Sequence, residues 1–165
     1  MTKPGPSPEN ENLGDGHDAP GNYAPLNHCF GCGKDNPEGM QLKFHLDEIT
    51  RRAVCQFVLA QRYQGPPGHA HGGIIATILD EAMGKVNKLH KVLALTRQME
   101  VEYVKPVPLG KLLWVTAQER ESRGRKYTNL AEITDEQGVV LARGAATFIA
   151  IDPHKMFSKF VKAPE

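Results

Sequence analysis

One long amphipathic helix, set among short alternating segments, constrains the fold of this chain more than any other feature. Apolar residues recur at helical spacing from His71 to about Leu89. On both sides of this segment, apolar and polar residues alternate as they do in strands. A helix of about five turns buries such an apolar arc by lying across one face of a sheet. The pattern predicts an α+β domain in which a curved antiparallel sheet of about six strands wraps around the helix.

The alternating segments give the order strand, strand, helix and then four strands. Asp152 and Pro153 suit the N-cap and first turn of a short C-terminal helix with an apolar stripe of Met156, Phe157, Phe160 and Val161. The predicted strands cover about residues 40–46, 53–59, 93–103, 111–121, 127–134 and 139–150.

The first 27 residues differ in composition from the rest of the chain. They contain five prolines, four glycines and few large apolar residues. Such a segment buries too little apolar surface to offset the entropy lost on ordering. We expect a flexible tail over residues 1–27 and a single domain over 28–165.

Charge and composition exclude several classes of protein. Twenty basic and 19 acidic residues leave a net charge of +1, which argues against nucleic-acid or membrane partners. No apolar run approaches the ~20 residues that span a bilayer. The N-terminus lacks the apolar core of a secretory signal, and three cysteines are an odd set, so we expect a cytoplasmic protein with reduced thiols.

Two glycines, Gly72 and Gly73, open the long helix. The first N–H groups of a helix have no partner within it, and the helix dipole favours negative charge there. This arrangement suits an oxyanion that develops on a bound carbonyl. The alternative is a loop that needs glycine before a buried helix.

Two adjacent carboxylates on the helix are separated by helical geometry. At about 100° per residue, Glu81 falls beside Lys85 and Lys88, which predicts an exposed ion pair. Asp80 falls on a flank with Ala76 and other small residues. That flank leaves room for a ligand or a second subunit, although a solvated surface acid remains the alternative.

Here the sequence resembles a known family. His71-Gly72-Gly73 followed by Asp80 is similar to the signature of hotdog-fold acyl-CoA thioesterases of the PaaI and THEM types. Gly65-Pro66-Pro67-Gly68, Thr96 and the segment 103–110 also match that group. So does the N-terminal run Cys29-Phe30-Gly31-Cys32-Gly33, and the resemblance covers about residues 29–150.

The resemblance implies acyl-CoA hydrolysis by a hotdog homodimer or homotetramer whose active sites lie between subunits. Asp80 would be the general base or nucleophile, and the Gly72 amide, with Gly73 beside it, would polarise the carbonyl. His71 would position the helix start, and Thr96 would hold water or the acid. No metal or redox cofactor is implied. The alternatives are a non-catalytic acyl-CoA-binding protein and a hotdog dehydratase.

Two positions in this resemblance depend on the three-dimensional arrangement: the strand position of Thr96 and the loop position of Gly65. Thr96 falls in the polar register of its strand with Gln98, Glu100 and Glu102, which permits its assigned role. Many relatives carry an asparagine six residues before the histidine, but Gly65 stands there, and Gln64 is the nearest polar substitute for substrate binding.

A basic cluster surrounds Gly124. Arg123, Arg125 and Lys126 suit the phosphates of coenzyme A, and the alternative is a solvated hairpin turn.

Cys29 and Cys32 have the spacing of half a zinc site. No second cysteine pair exists, and His45 and His17 are poor candidates to complete the site, so we expect a packed turn and no metal.

Overall fold

The long helix lies across one face of a six-stranded antiparallel sheet in the computed structural model, which describes residues 27–158. The helices are α1 (Gly72–Val86) and the short α2 (Pro153–Phe157). The strands are β1 (His45–Asp47), β2 (Arg52–Val58), β3 (Ala94–Tyr103), β4 (Leu112–Arg123), β5 (Lys126–Thr134) and β6 (Val140–Ala150). The strand order is β1-β2-β4-β5-β6-β3, so β3 forms one edge.

The core lies between α1 and the sheet. The helix contacts each strand from β2 to β6, and its Leu79 and Met83 side chains are fully buried. Truncating either to alanine would cost about 2–5 kcal/mol. Beneath them β6 carries Gly144, where an added Cβ would lie 3.1 Å from Met83 Cε and 3.3 Å from Leu79 Cβ. The helix therefore approaches the sheet closely at this glycine.

A pair of buried asparagines marks the end of α1. Asn129 on β5 donates from Nδ2 to the Met83 carbonyl and to Asn87 Oδ1, both at 2.8 Å. The chain then tightens into a 3₁₀ segment, Asn87–His90. Asn129 is 0% exposed and Asn87 is 2% exposed, so these bonds form away from water. They fix the helix end to the middle of the sheet.

Replacing Asn129 with leucine should lower the free energy of unfolding by about 1–3 kcal/mol, because the Met83 carbonyl and Asn87 lose a buried donor. Urea unfolding followed by circular dichroism measures this change. In the double variant with Asn87→Leu, part of the loss should return, since both side-chain partners are then apolar. Equal stability of wild type and Asn129→Leu would contradict a structural role for the pair.

The first predicted strand is much shorter than expected. Residues 40–46 alternate in sequence, but β1 covers only His45–Asp47. Upstream, the Met40 N–H donates to the Phe30 carbonyl at 2.8 Å and the Leu42 N–H to the Gly31 carbonyl at 2.9 Å. The backbone there is therefore bonded to the Cys29–Gly33 loop, which takes up bonds that a longer ladder would use.

The remaining elements follow the predicted order. At α2, Asp152 caps the helix by accepting from the N–H groups of His154 and Lys155 at 3.0 and 3.4 Å, as predicted. Phe160, Val161 and residues 1–26 of the predicted tail lie outside the described residues. Within residues 27–158, no helix is long and apolar enough to cross a membrane.

Candidate active site

A carboxylate on α1 meets a hydroxyl on the edge strand. Thr96 Oγ1 donates a hydrogen bond of 2.7 Å to Asp80 Oδ1, and the Asp80 side chain is half-buried. Burial raises the pKa of Asp80; the Thr96 hydrogen bond opposes this and the charge of Glu81 adds to it. The carboxylate is thus held in one orientation and is more basic than an exposed aspartate.

A β-bulge turns Thr96 toward the helix. Thr96 pairs with Phe148 of β6 and Gln98 pairs with Thr147, so Arg97 is an extra residue in the strand. Because paired residues share a face, Thr96 lies on the side of the buried Phe148, and Gln98 lies on the other side. The predicted common register of Thr96 with Gln98, Glu100 and Glu102 was therefore wrong.

The start of α1 is capped by a histidine. His71 is the N-cap residue, and its Nδ1 accepts from the Gly73 N–H at 2.9 Å. The neutral ring therefore carries its proton on Nε2. Among the hydrogen bonds of the described residues, the Gly72 N–H takes part in none, whereas the Gly73 N–H is engaged. Of these two amides, Gly72 is the one available to a ligand.

Tyr103 is a site residue that the sequence reasoning missed. Its hydroxyl donates to the Gly72 carbonyl at 3.0 Å, joining the end of β3 to the first turn of α1. Its alternation with Met99 and Val101 indicated an inward-facing position. No sequence signal connected it with a glycine 31 residues earlier.

Gln64 faces the loop that precedes the helix. Its exposed side chain accepts at Oε1 from the Gly68 N–H at 3.1 Å and from Gln61 Nε2 at 2.7 Å. A Cβ at Gly65 would lie 2.8 Å from His71 Cα, so the backbone leaves no room there for a side chain. Gln64 therefore orders the 65–68 loop, and Gly65 permits its close packing on His71.

The basic cluster lies at the turn between β4 and β5, where Gly124 has a φ of +59°. The Arg125 guanidinium donates to the Ala150 carbonyl at 2.9 and 3.0 Å, while Arg123 and Lys126 are exposed. Lys126 pairs with Ile149 of β6, which in turn pairs with Leu95 of β3. Lys126 and Leu95 are therefore separated by two strand spacings, which is about 10 Å. The turn thus lies at the end of the sheet where Thr96 and Asp80 meet.

Gly72 and Asp80 are far apart within one chain. They are eight residues apart on one helix, which at 1.5 Å per residue is about 12 Å. A general base and an oxyanion donor must both lie about 3 Å from one reacting group. One copy of the helix therefore cannot place both groups on the same carbonyl.

The neighbouring carboxylate lies in a second, separate cluster. Glu81 Oε1 is 3.4 Å from Lys85 Nζ, but Lys85 is only 9% exposed, so the predicted exposed ion pair was wrong. The Cys29–Gly33 loop covers it: Lys85 Nζ also donates to Cys32 Sγ at 2.9 Å, and a Cβ at Gly31 would lie 2.6 Å from Glu81 Oε2. A lysine that would ordinarily be solvated is buried by this loop.

The family model of the thioesterase superfamily matches residues 67–142 of this chain. That stretch begins just before the Gly72 helix and ends within β6, so it includes Asp80, Thr96 and Tyr103. The architecture, a long helix against a six-stranded antiparallel sheet, is the hotdog fold. The predicted fold is thus confirmed.

The alignments with similar proteins cover most of this chain. The acyl-coenzyme A thioesterase THEM4 of Rattus norvegicus is 33% identical over 119 residues, 71% of this chain and 51% of the relative. The chain thus matches about half the length of that relative. Among solved structures, protein RHA08564, a thioesterase superfamily protein, is 28% identical with a TM-score of 0.70, covering 74% of this chain and 60% of the other.

A more distant structure shares the fold. The smu.793 protein of Streptococcus mutans UA159, determined bound to acetyl CoA, is 19% identical with a TM-score of 0.62. The match covers 67% of this chain and 88% of that protein.

Proposed function

We propose that this protein hydrolyses acyl-CoA thioesters to a free acid and coenzyme A. The observation that carries the proposal is the half-buried Asp80 carboxylate, oriented by Thr96 and made more basic by burial. A thioester is already activated, so a carboxylate that takes a proton from water supplies much of what hydrolysis requires. The acyl-CoA thioesterase activity named for the THEM4 relative supports the same reaction.

The proposed mechanism uses two copies of the chain. Asp80 of one copy deprotonates water, which attacks the thioester carbon, or Asp80 attacks that carbon itself, while the Gly72 N–H of the other copy binds the oxyanion. The C–S bond then breaks and coenzyme A leaves as the thiol with the proton taken from water; in the second route water hydrolyses the acyl-Asp80 anhydride. His71 and Tyr103 hold the Gly72 peptide from its two sides. The 12 Å estimate within one helix is the reason for assigning the two groups to different subunits.

The exposed edge strand supports such an assembly. β3 ends the sheet, runs for ten residues and leaves Leu95 42% and Tyr103 54% exposed. A long edge strand with exposed apolar residues is a ready surface for pairing with another chain. We propose that β3 pairs with a second copy, giving a homodimer or a dimer of dimers.

Sedimentation velocity at micromolar concentration should therefore show a species of at least twice 18.2 kDa. The reason is that both the site and the β3 edge are incomplete in one copy. A variant with Leu95→Lys should shift the distribution toward the monomer, because it places a charge beside the edge, while Lys91→Gln, exposed and outside β3, should not. A wild-type protein that sediments only as a monomer would contradict the proposal.

Neutralising Arg123 and Lys126 to glutamine should raise KM for an acyl-CoA several-fold with little change in kcat. Both side chains are exposed at the end of the sheet near Asp80, and basic groups bind the phosphates of coenzyme A. Arg125 is left intact because it holds the Ala150 carbonyl.

The salt dependence of KM in a thiol-release assay should weaken in this variant. Lys111→Gln is the matched control, since Lys111 is exposed just before β4, at the opposite end of the sheet. If the double variant and the control have the same KM at every salt concentration, the cluster is a solvated turn.

A further inference from the structure

Two cysteines and a glutamate converge beside the candidate active site without contributing to it. The sulfurs of Cys29 and Cys32 and a carboxylate oxygen of Glu81 all lie within 4.8 Å of one another. The cysteines come from the N-terminal loop, whereas Glu81 is on α1, 52 residues after Cys29. The sequence reasoning found the two sulfurs but could not find a third ligand so distant in the chain.

We propose that Cys29, Cys32 and Glu81 form a zinc site that fastens the N-terminal loop to α1. Zinc prefers tetrahedral coordination with bonds of about 2.3 Å to sulfur and about 2.0 Å to oxygen, which separates neighbouring S and O ligands by about 3.5 Å. Cys29 Sγ and Glu81 Oε2 are 3.6 Å apart. The fourth position falls to water on the exposed side of Cys29.

The loop presents both sulfurs on one side. The Gly33 N–H donates to the Cys29 carbonyl at 2.8 Å, which closes a tight turn over Cys29–Gly33. A Cβ at Gly33 would lie 2.4 Å from that carbonyl oxygen, so only glycine allows the turn to close this far. The backbone therefore brings the two sulfurs together before any metal binds.

Charge balance favours a divalent cation in this place. Two thiolates and one carboxylate carry three negative charges, which Zn²⁺ and the Lys85 ammonium together neutralise. Lys85 Nζ lies 2.9 Å from Cys32 Sγ and 3.4 Å from Glu81 Oε1, so it contacts one ligand sulfur and the second oxygen of the Glu81 carboxylate from outside the centre. Outer donors of this kind orient metal ligands.

Cobalt titration of the reduced full-length chain, stripped by chelator, tests the site. Co²⁺ should bind with one equivalent per chain and give thiolate-to-cobalt charge-transfer absorption, and zinc should displace it and raise Tm. Cys29→Ser should abolish the band, and Glu81→Gln should weaken cobalt binding about tenfold or more. Cys55→Ala and Glu48→Gln, which change a cysteine and a carboxylate outside the cluster, should leave the titration unchanged.

Three results would overturn the proposal. One is the lack of a charge-transfer band in fully reduced wild type. Another is a band of wild-type intensity and cobalt affinity in Cys29→Ser or in Glu81→Gln. The third is a reduced chain that takes up no metal but forms a Cys29–Cys32 disulfide when glutathione disulfide is added. In that reaction the two cysteines lose two hydrogens, and two glutathione thiols are released. This result would assign the cysteine pair to redox chemistry.

Discussion

Replacing Asp80 with asparagine should lower kcat for acyl-CoA hydrolysis by about 10²–10⁴ while the chain stays folded. Asparagine keeps the size of the side chain and still accepts the Thr96 hydrogen bond at its carbonyl oxygen. It cannot take a proton from water or attack a thioester. Release of free coenzyme A thiol under saturating substrate measures the effect.

The same substitution has an expected effect on stability, and its sign follows from the pKa. Burial raises the pKa of Asp80, so the folded chain favours the protonated form more than the unfolded chain does. The stability from this preference is present below the unfolded pKa and is lost as pH rises through the folded pKa. At neutral pH the Asp80→Asn variant should therefore melt at or above the wild-type temperature.

The raised pKa also predicts the pH profile of the wild type. Activity should rise with pH through an acid limb that lies above the ordinary range for aspartate, because only the ionised Asp80 is active. Glu100→Gln is the matched control, an exposed carboxylate on β3 whose loss should leave kcat and this limb unchanged. Equal turnover in wild type and Asp80→Asn would show that Asp80 is not the catalytic group, and no turnover in the wild type would favour a non-catalytic acyl-CoA-binding protein.

Gly72→Pro should lower kcat by about 10²–10³, the usual cost of losing one oxyanion donor. Proline removes the N–H that we assign to the oxyanion and adds a ring, and it is well tolerated at the first position of a helix. The preceding His71 has φ −65° and ψ 138°, a conformation that proline accepts after it. Steady-state kinetics and Tm separate a catalytic loss from unfolding.

Gly72→Ala is the control for added bulk. It keeps the N–H and adds a Cβ that would lie 3.4 Å from the Tyr103 hydroxyl, an ordinary van der Waals contact. Its kcat should exceed that of Gly72→Pro at least tenfold. Equal losses in the two variants would mean that space, and not the amide, matters at this position.

Mixing these two defective chains tests whether the site spans subunits. In a mixed dimer of Asp80→Asn and Gly72→Pro, one site combines both defects, and the other combines an intact Asp80 with an intact Gly72. Activity should therefore reappear after the two variants are unfolded and refolded together. Continued inactivity of mixed oligomers would place Asp80 and Gly72 in the same subunit's site and refute the two-chain mechanism.

The long helix was predictable because its signal is local. Apolar spacing at 3.6 residues does not depend on what the helix contacts, and the segment 71–89 appears as α1 with its 3₁₀ extension to His90. The strands on either side of Gly124 and Gly138 were found for the same reason, since alternation and turn residues are read along the chain.

The contacts that shape the candidate site were less predictable, because they depend on distant residues. In the sequence, Lys85 lies on a charged face of the helix, which is typical of a solvated surface. Only the packing of the Cys29–Gly33 loop buries this lysine. The Tyr103 hydroxyl donates a hydrogen bond to the carbonyl of Gly72, which lies 31 residues earlier in the chain. The family resemblance selected Asp80 over Glu81, and helical geometry agreed, but neither indicated that Glu81 lies beside two cysteines.

The extra residue Arg97 divides β3 into two segments of opposite parity. After it, odd-numbered positions such as Met99, Val101 and Tyr103 face the helix; before it, the even-numbered Thr96 does. One strand thereby supplies a hydroxyl to Asp80 near its start and another to Gly72 at its end. If Arg97 were instead paired in a regular ladder, Thr96 would turn away from Asp80 although no residue of the site itself had changed.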